Sequence, residues 1–139
     1  MLPLRYATWW RTASVTLLIL VLVGAVMPAV WLWSDRGALH DWLDAFDKST
    51  HAIVFAFLTL WFAGQYRRQS YWRIALGLLM FGLLIELCQR MLIYRSAEWF
   101  DVAADVTGII AGLLIAAAGL GGWSQRFEAR YLAQRDSRD

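Results

Sequence analysis

The chain has 139 residues, of which 60% are hydrophobic and 17% charged. A typical soluble chain is about 45–50% apolar and about 25% charged, so this balance excludes an ordinary water-soluble domain and points to lipid. The net charge of +2 is small, and the arginines flank apolar runs instead of forming one basic patch, which argues against nucleic-acid binding.

A transmembrane helix needs about 20 mostly apolar residues to cross roughly 30 Å of hydrocarbon. Four stretches meet that length. The first, residues 13–33, contains no charge. Arg5 and Arg11 give it a basic front, but it is too long for a signal-peptide core and continues past Pro28 to Trp31 and Trp33, so it is read as a retained helix. The second covers residues 48–66, with His51 near its start. The third covers residues 71–93 and carries Glu86, Gln89 and Arg90. The fourth covers residues 102–123 and carries Asp105. Residues 124–139 follow as a tail in which Phe127 and Tyr131 recur at helical spacing with Arg126, Arg130 and Arg135 among them, the pattern of a short amphipathic helix on a membrane surface. The expected fold is therefore all-α: a single polytopic four-transmembrane-helix bundle with an amphipathic C-terminal helix.

Orientation follows from the connections. Arg5 and Arg11, then Arg67, Arg68 and Arg73, then Arg126, Arg130, Arg135 and Arg138 mark the N-terminal tail, the middle loop and the C-terminal tail. Asp35, Asp41, Asp44 and Asp47 occupy another connection, and Glu98 and Asp101 the last. The positive-inside rule then places both termini in the cytoplasm and both acidic loops outside. The expected location is a bacterial cytoplasmic (inner) membrane, crossed several times. Tyr6, Trp9, Trp10, Tyr66, Tyr71, Trp72 and Trp123 are expected at the inner interface, and Trp31, Trp33, Trp42, Tyr94 and Trp99 at the outer one.

Ionisable groups inside a span are costly, and each is a functional hypothesis by default. In this topology His51, Glu86 and Asp105 all fall in the outer half of the bilayer. Asp47 and His51 are four residues apart on one face, and Glu86 and Gln89 three apart on another. Asp101, Asp105, Gly108 and Gly112 follow one another at helical spacing down one side, and the G-x-x-x-G lets a neighbouring helix approach closely. Three readings stay open. In the first, the acids pair with Lys48, Arg90 or Arg95 as a structural network that holds helices in register or recruits a partner. In the second, they form a site for an envelope ligand. In the third, His51 beside a carboxylate handles protons, in a small carrier that four spans could support only as a homo-oligomer. His51, Glu86 and Asp105 offer metal donors, but no H-E-x-x-H, H-x-x-x-H or cysteine cluster accompanies them, so neither a metal nor a cofactor is expected. No nucleophile–base motif is present, and the reading leans away from an enzyme, with no catalytic residue assigned.

Asp47, Lys48 and His51, followed by Phe55, resemble the opening motif of the VanZ-like family. Glu86 with Gln89 resembles its second motif, and Arg95, Asp101, Asp105 and Gly108 its third, with asparagine common in the family where this chain has Asp105. The resemblance implies a polytopic bacterial membrane protein. The family's founding member is linked to low-level resistance to teicoplanin, so the implied partners are the lipid bilayer and a lipid-linked or glycopeptide ligand.

Overall fold

The computed structural model describes residues 1–26, 40–91 and 99–136, with side chains for 1–26, 48–91 and 99–135. The outer end of the first expected span, with Pro28, Trp31 and Trp33, lies outside the described residues, as do Arg95 and the side chain of Asp47. The described chain is helical throughout, without strands. Helix α1 is Ala7–Val26, α2 is His40–Gln65, α3 is Tyr71–Arg90, α4 is Trp99–Ile115 and α5 is Trp123–Asp136. A short 3-10 turn, Arg68–Ser70, leads into α3, and a wider turn, Ala116–Leu120, closes α4.

Among the described residues, three helical stretches are long and apolar enough to cross a membrane: Ala7–Val26, Arg68–Arg90 and Trp99–Leu120. The first begins earlier than the charge-free run, because a helix end at an interface tolerates Arg11, whose stem can lie along apolar surface while its head reaches water. The 26-residue α2 is not among the three, and it carries Lys48, His51, Thr59 and Gln65. Of its described polar side chains, His51, Thr59 and Gln65 are buried, Lys48 is half-buried, and Ser49 and Thr50 are exposed.

Burial is distributed inside out relative to a water-soluble protein. Ser14, His51, Thr59, Gln65, Glu86, Gln89, Asp101 and Asp105 are buried, while Val15, Ile19 and Leu20 on α1, Met80 and Leu87 on α3, and Ile110 and Leu114 on α4 are exposed. Apolar side chains outward and polar ones inward suit hydrocarbon as the surrounding solvent.

Side-chain pairings give the directions. Gly108 faces Ala52 and Ala56, and Gly112 faces Ala56 and Thr59, so α2 and α4 run in parallel. Gly82 faces Asp105 and Phe55 while Tyr71 meets Gly121 near the other end, so α3 runs opposite to α4. Trp61 and Gln65 bond Ser14, and Gln89 bonds the carbonyl of Ala25, which sets α1 alongside α3. The α2–α4 interface is the most extensive in the bundle. It depends on the two glycines, since a Cβ at Gly108 would run into the backbone of Ala52, and one at Gly112 into Thr59 and the Ala56 carbonyl.

The end of the bundle that holds the N-terminus is closed by hydrogen bonds the sequence did not reveal. The last four carbonyls of a helix have no partner within it. At the end of α2, Phe62 O accepts from Tyr66 N, Ala63 O from Gly122 N, Gly64 O from Ser124 Oγ, and Gln65 O from Leu2 N. Gly122 reaches its place with φ 69°, and Gly119 has φ 135° in the turn that leaves α4, conformations that cost glycine little. The turn that enters α1 is tied in turn to α5. The Glu128 carboxylate accepts from Arg5 N at 2.8 Å, Tyr6 N at 3.1 Å and Trp10 Nε1 at 2.8 Å.

Trp10, Trp61 and Trp123 stack around these bonds with centroids 5.3–5.6 Å apart. Trp10 was expected at the interface but is buried, whereas its neighbour Trp9 is exposed. Each indole N–H of the three has an acceptor: Glu128, Ser14 Oγ and the Leu60 carbonyl. The face of α5 turned inward is therefore Ser124 and Glu128, while Phe127 and Tyr131 are exposed.

Candidate functional site

At the opposite end of the bundle, α2, α3 and α4 bring ionisable side chains together. His51 comes from α2, Glu86 and Gln89 from α3, and Asp101 and Asp105 from α4, all of them buried. Asp101 and Asp105 share a face because they are one helical turn apart, and that face continues into Gly108 and Gly112. The close α2–α4 crossing therefore draws both aspartates towards His51.

His51 Nδ1 lies 2.9 Å from Asp105 Oδ1. With the ring neutral, Nδ1–H donates to the carboxylate and Nε2 keeps its lone pair. The other carboxylate oxygen of Asp105 has no hydrogen-bond partner among the described residues. It rests against Gly82, where any Cβ would collide with it. Gly82 is thus a site residue that the sequence did not single out; its only signal is a glycine in an apolar run, one turn before Glu86.

One donor atom each from His51, Glu86 and Asp101 lie within 4.8 Å of one another. The metal trio considered from sequence contained Asp105. The structure puts Asp101 beside the other two and gives Asp105 the outer position, bonded to His51. Gln89 donates through Nε2 to Ala25 O at 3.1 Å, and its Oε1 has no hydrogen-bond partner among the described residues. Lys48 Nζ lies over the Phe100 ring at 5.3 Å, and the Arg90 guanidinium over Trp99 at 5.6 Å. Gly108 and Gly112 act in packing and do not line the cluster. Cys88 is a half-buried free thiol.

A cavity of about 270 Å³ adjoins the cluster between α1, α2 and α3. Its lining is mostly apolar, including Val21, Val54, Phe55 and Ile85, with Thr50 and His51 as polar members. A second cavity, of about 330 Å³, lies nearer the N-terminal end among Leu18, Phe62, Tyr66, Arg73 and Phe81. Only the first contains a member of the cluster. Chemically, the cluster can accept a proton at His51, hold a cation between carboxylates, or bind a polar headgroup whose apolar part occupies the cavity.

No curated protein and no solved structure matches the chain. A family model described as VanZ/LLP1 matches residues 2–120. That match takes in all four of the long helices and every residue of the cluster, and with the apolar helices it defines a membrane protein that belongs to the VanZ-like family.

Proposed function

We propose that the chain is a four-span protein of the bacterial cytoplasmic membrane, with both ends inside, that binds an envelope ligand through its cluster on α2, α3 and α4. The ligand class is a lipid-linked cell-wall precursor or a glycopeptide, met at the outer face. The observation that carries this reading is the juxtaposition of buried His51, Glu86, Asp101 and Asp105 with an apolar cavity that reaches His51. A polar end beside an apolar chamber suits a ligand with a headgroup and a hydrocarbon or aromatic part.

The fourth span in this proposal is α2. Its 26 residues reach about 39 Å, enough to cross, and His51, Thr59 and Gln65 along it are buried against the other helices. Topology is tested with single cysteines in a Cys88→Ala background. A membrane-impermeant maleimide is expected to label Asp41→Cys in intact cells, and Arg68→Cys only after permeabilisation. The reverse pattern would invert the topology and move the cluster to the inner side.

The ligand is tested by teicoplanin susceptibility of a sensitive host that expresses the protein. The wild type is expected to raise the inhibitory concentration, and His51→Ala and Glu86→Gln, at matched membrane levels, to return it to that of the empty vector. No protection by the wild type would remove glycopeptides as the ligand class. The Gln89 bond to the α1 backbone favours a second reading, a structural network that recruits a partner. On that reading Glu86→Gln lowers membrane expression and melting temperature along with any phenotype.

A further inference from the structure

The geometry points to a divalent metal site: we propose that His51, Glu86 and Asp101 bind a first-row transition ion of the zinc class, with Asp105 as the residue that orients His51. This does not depend on the envelope-ligand reading, and it is tested without any such ligand.

The donor set is the first argument. One imidazole and two carboxylates from three helices converge within 4.8 Å. Nitrogen with carboxylate oxygen is the donor mixture that suits zinc and its neighbours. Zinc holds such donors at about 2.0–2.2 Å, so each side chain would move inward by less than about an ångström. Three protein ligands leave a fourth position open, as in zinc sites that act on a bound molecule.

The second argument is independent of the trio. Metal-binding histidines nearly always give their other ring N–H to a carboxylate or carbonyl, which fixes the tautomer and raises ligand basicity. Asp105 stands in that relation to His51 at 2.9 Å, and it is 1% exposed. Its Oδ2 lacks a hydrogen-bond partner among the described residues, in a pocket that Gly82 keeps open. A carboxylate enclosed this way is costly as a mere helix tie. Beside a cation-binding histidine it holds the ring N–H and turns the other ring nitrogen towards the ion.

Access is the third argument. The adjoining cavity reaches His51 and gives the open position a way out.

The test uses the full-length protein purified in detergent, with any affinity tag removed. Dialysis against Zn²⁺ followed by elemental analysis is expected to give one ion per chain, and Co²⁺ in its place a ligand-field absorption spectrum. His51→Ala and Asp101→Asn should abolish stoichiometric uptake. Asp105→Ala should weaken it by about 10–100-fold, whereas Asp105→Asn, which keeps an acceptor oxygen, should stay closer to wild type. Cys88→Ala should bind as the wild type does. A folded wild-type protein that retains no zinc and gives no Co²⁺ spectrum overturns the site, and so does uptake unchanged in folded Asp101→Asn. Because the wild-type Co²⁺ spectrum needs no variant, the proposal stays testable if a ligand substitution fails to fold.

Discussion

Gly108→Leu is expected to leave no folded protein that survives extraction into detergent. The added side chain would start inside the backbone of Ala52, with Ala56 N close behind it. Overpacking a core by a few carbons costs about 1–3 kcal/mol, and here the obstacle is main chain, which cannot rotate away. The helices would have to separate, and their contact is the most extensive in the bundle. Truncating the neighbour offers no relief, so Ala52→Gly is expected not to rescue Gly108→Leu. At Gly112 part of the obstacle is the Thr59 side chain, so Thr59→Ala should partly rescue Gly112→Ala. Gly77, with nothing within 4 Å of a new Cβ, is the control. Gly77→Ala should be neutral or stabilising by up to about 1 kcal/mol through helix propensity. Size-exclusion elution and thermal unfolding of the detergent-solubilised proteins would check the series.

Glu128→Ala is expected to lower stability by about 1–3 kcal/mol. The carboxylate is the shared acceptor for the buried Trp10 Nε1 and for the part-buried Arg5 N and Tyr6 N, and one buried donor left without a partner costs about 1–3 kcal/mol. Glu128→Gln retains one acceptor oxygen and should lose less. Trp10→Phe removes one of the donors, so the double variant Trp10→Phe/Glu128→Ala should fall short of the sum of the single losses. Strict additivity in the unfolding data would show that Glu128 does not act through Trp10.

The two predictions differ in how far the sequence disclosed them. The glycine pair was legible because helix–helix contact in lipid follows a short local rule: small residues one turn apart let backbones meet. The apolar runs were legible for the same reason, each being a local count of residues against a fixed thickness. His51, Glu86 and Asp105 stood out because a charge in an apolar run is conspicuous. Their arrangement was less legible. Asp101 and Asp105 lie on the same helix face as the glycines and have the same chemistry, and only packing decides which bonds His51 and which sits with Glu86. Glu128 was invisible because it lies among arginines in a polar tail, where a carboxylate is usually solvated. Its role depends on residues more than 100 positions away. Ser14 and Gln65 were missed likewise: neither is charged, and their contact crosses 51 residues. The tryptophans misled in part, since the same amphipathic ring serves at a membrane interface or as a core residue with its N–H satisfied.

The closure of α2 carries a consequence for biogenesis. Three of its last four carbonyls wait for groups outside α2 and its own loop: Leu2 N, made before the helix, and Gly122 N and Ser124 Oγ, made after α4. The turn that enters α1 likewise waits for Glu128. Synthesis runs from the N-terminus, and early segments ordinarily settle first. Here α1 is fastened by α5, so the end of the bundle that holds α5 is completed only after α5 leaves the ribosome. A nascent chain stalled shortly after α4 would hold its apolar helices in the membrane with that end unsealed until α5 arrives.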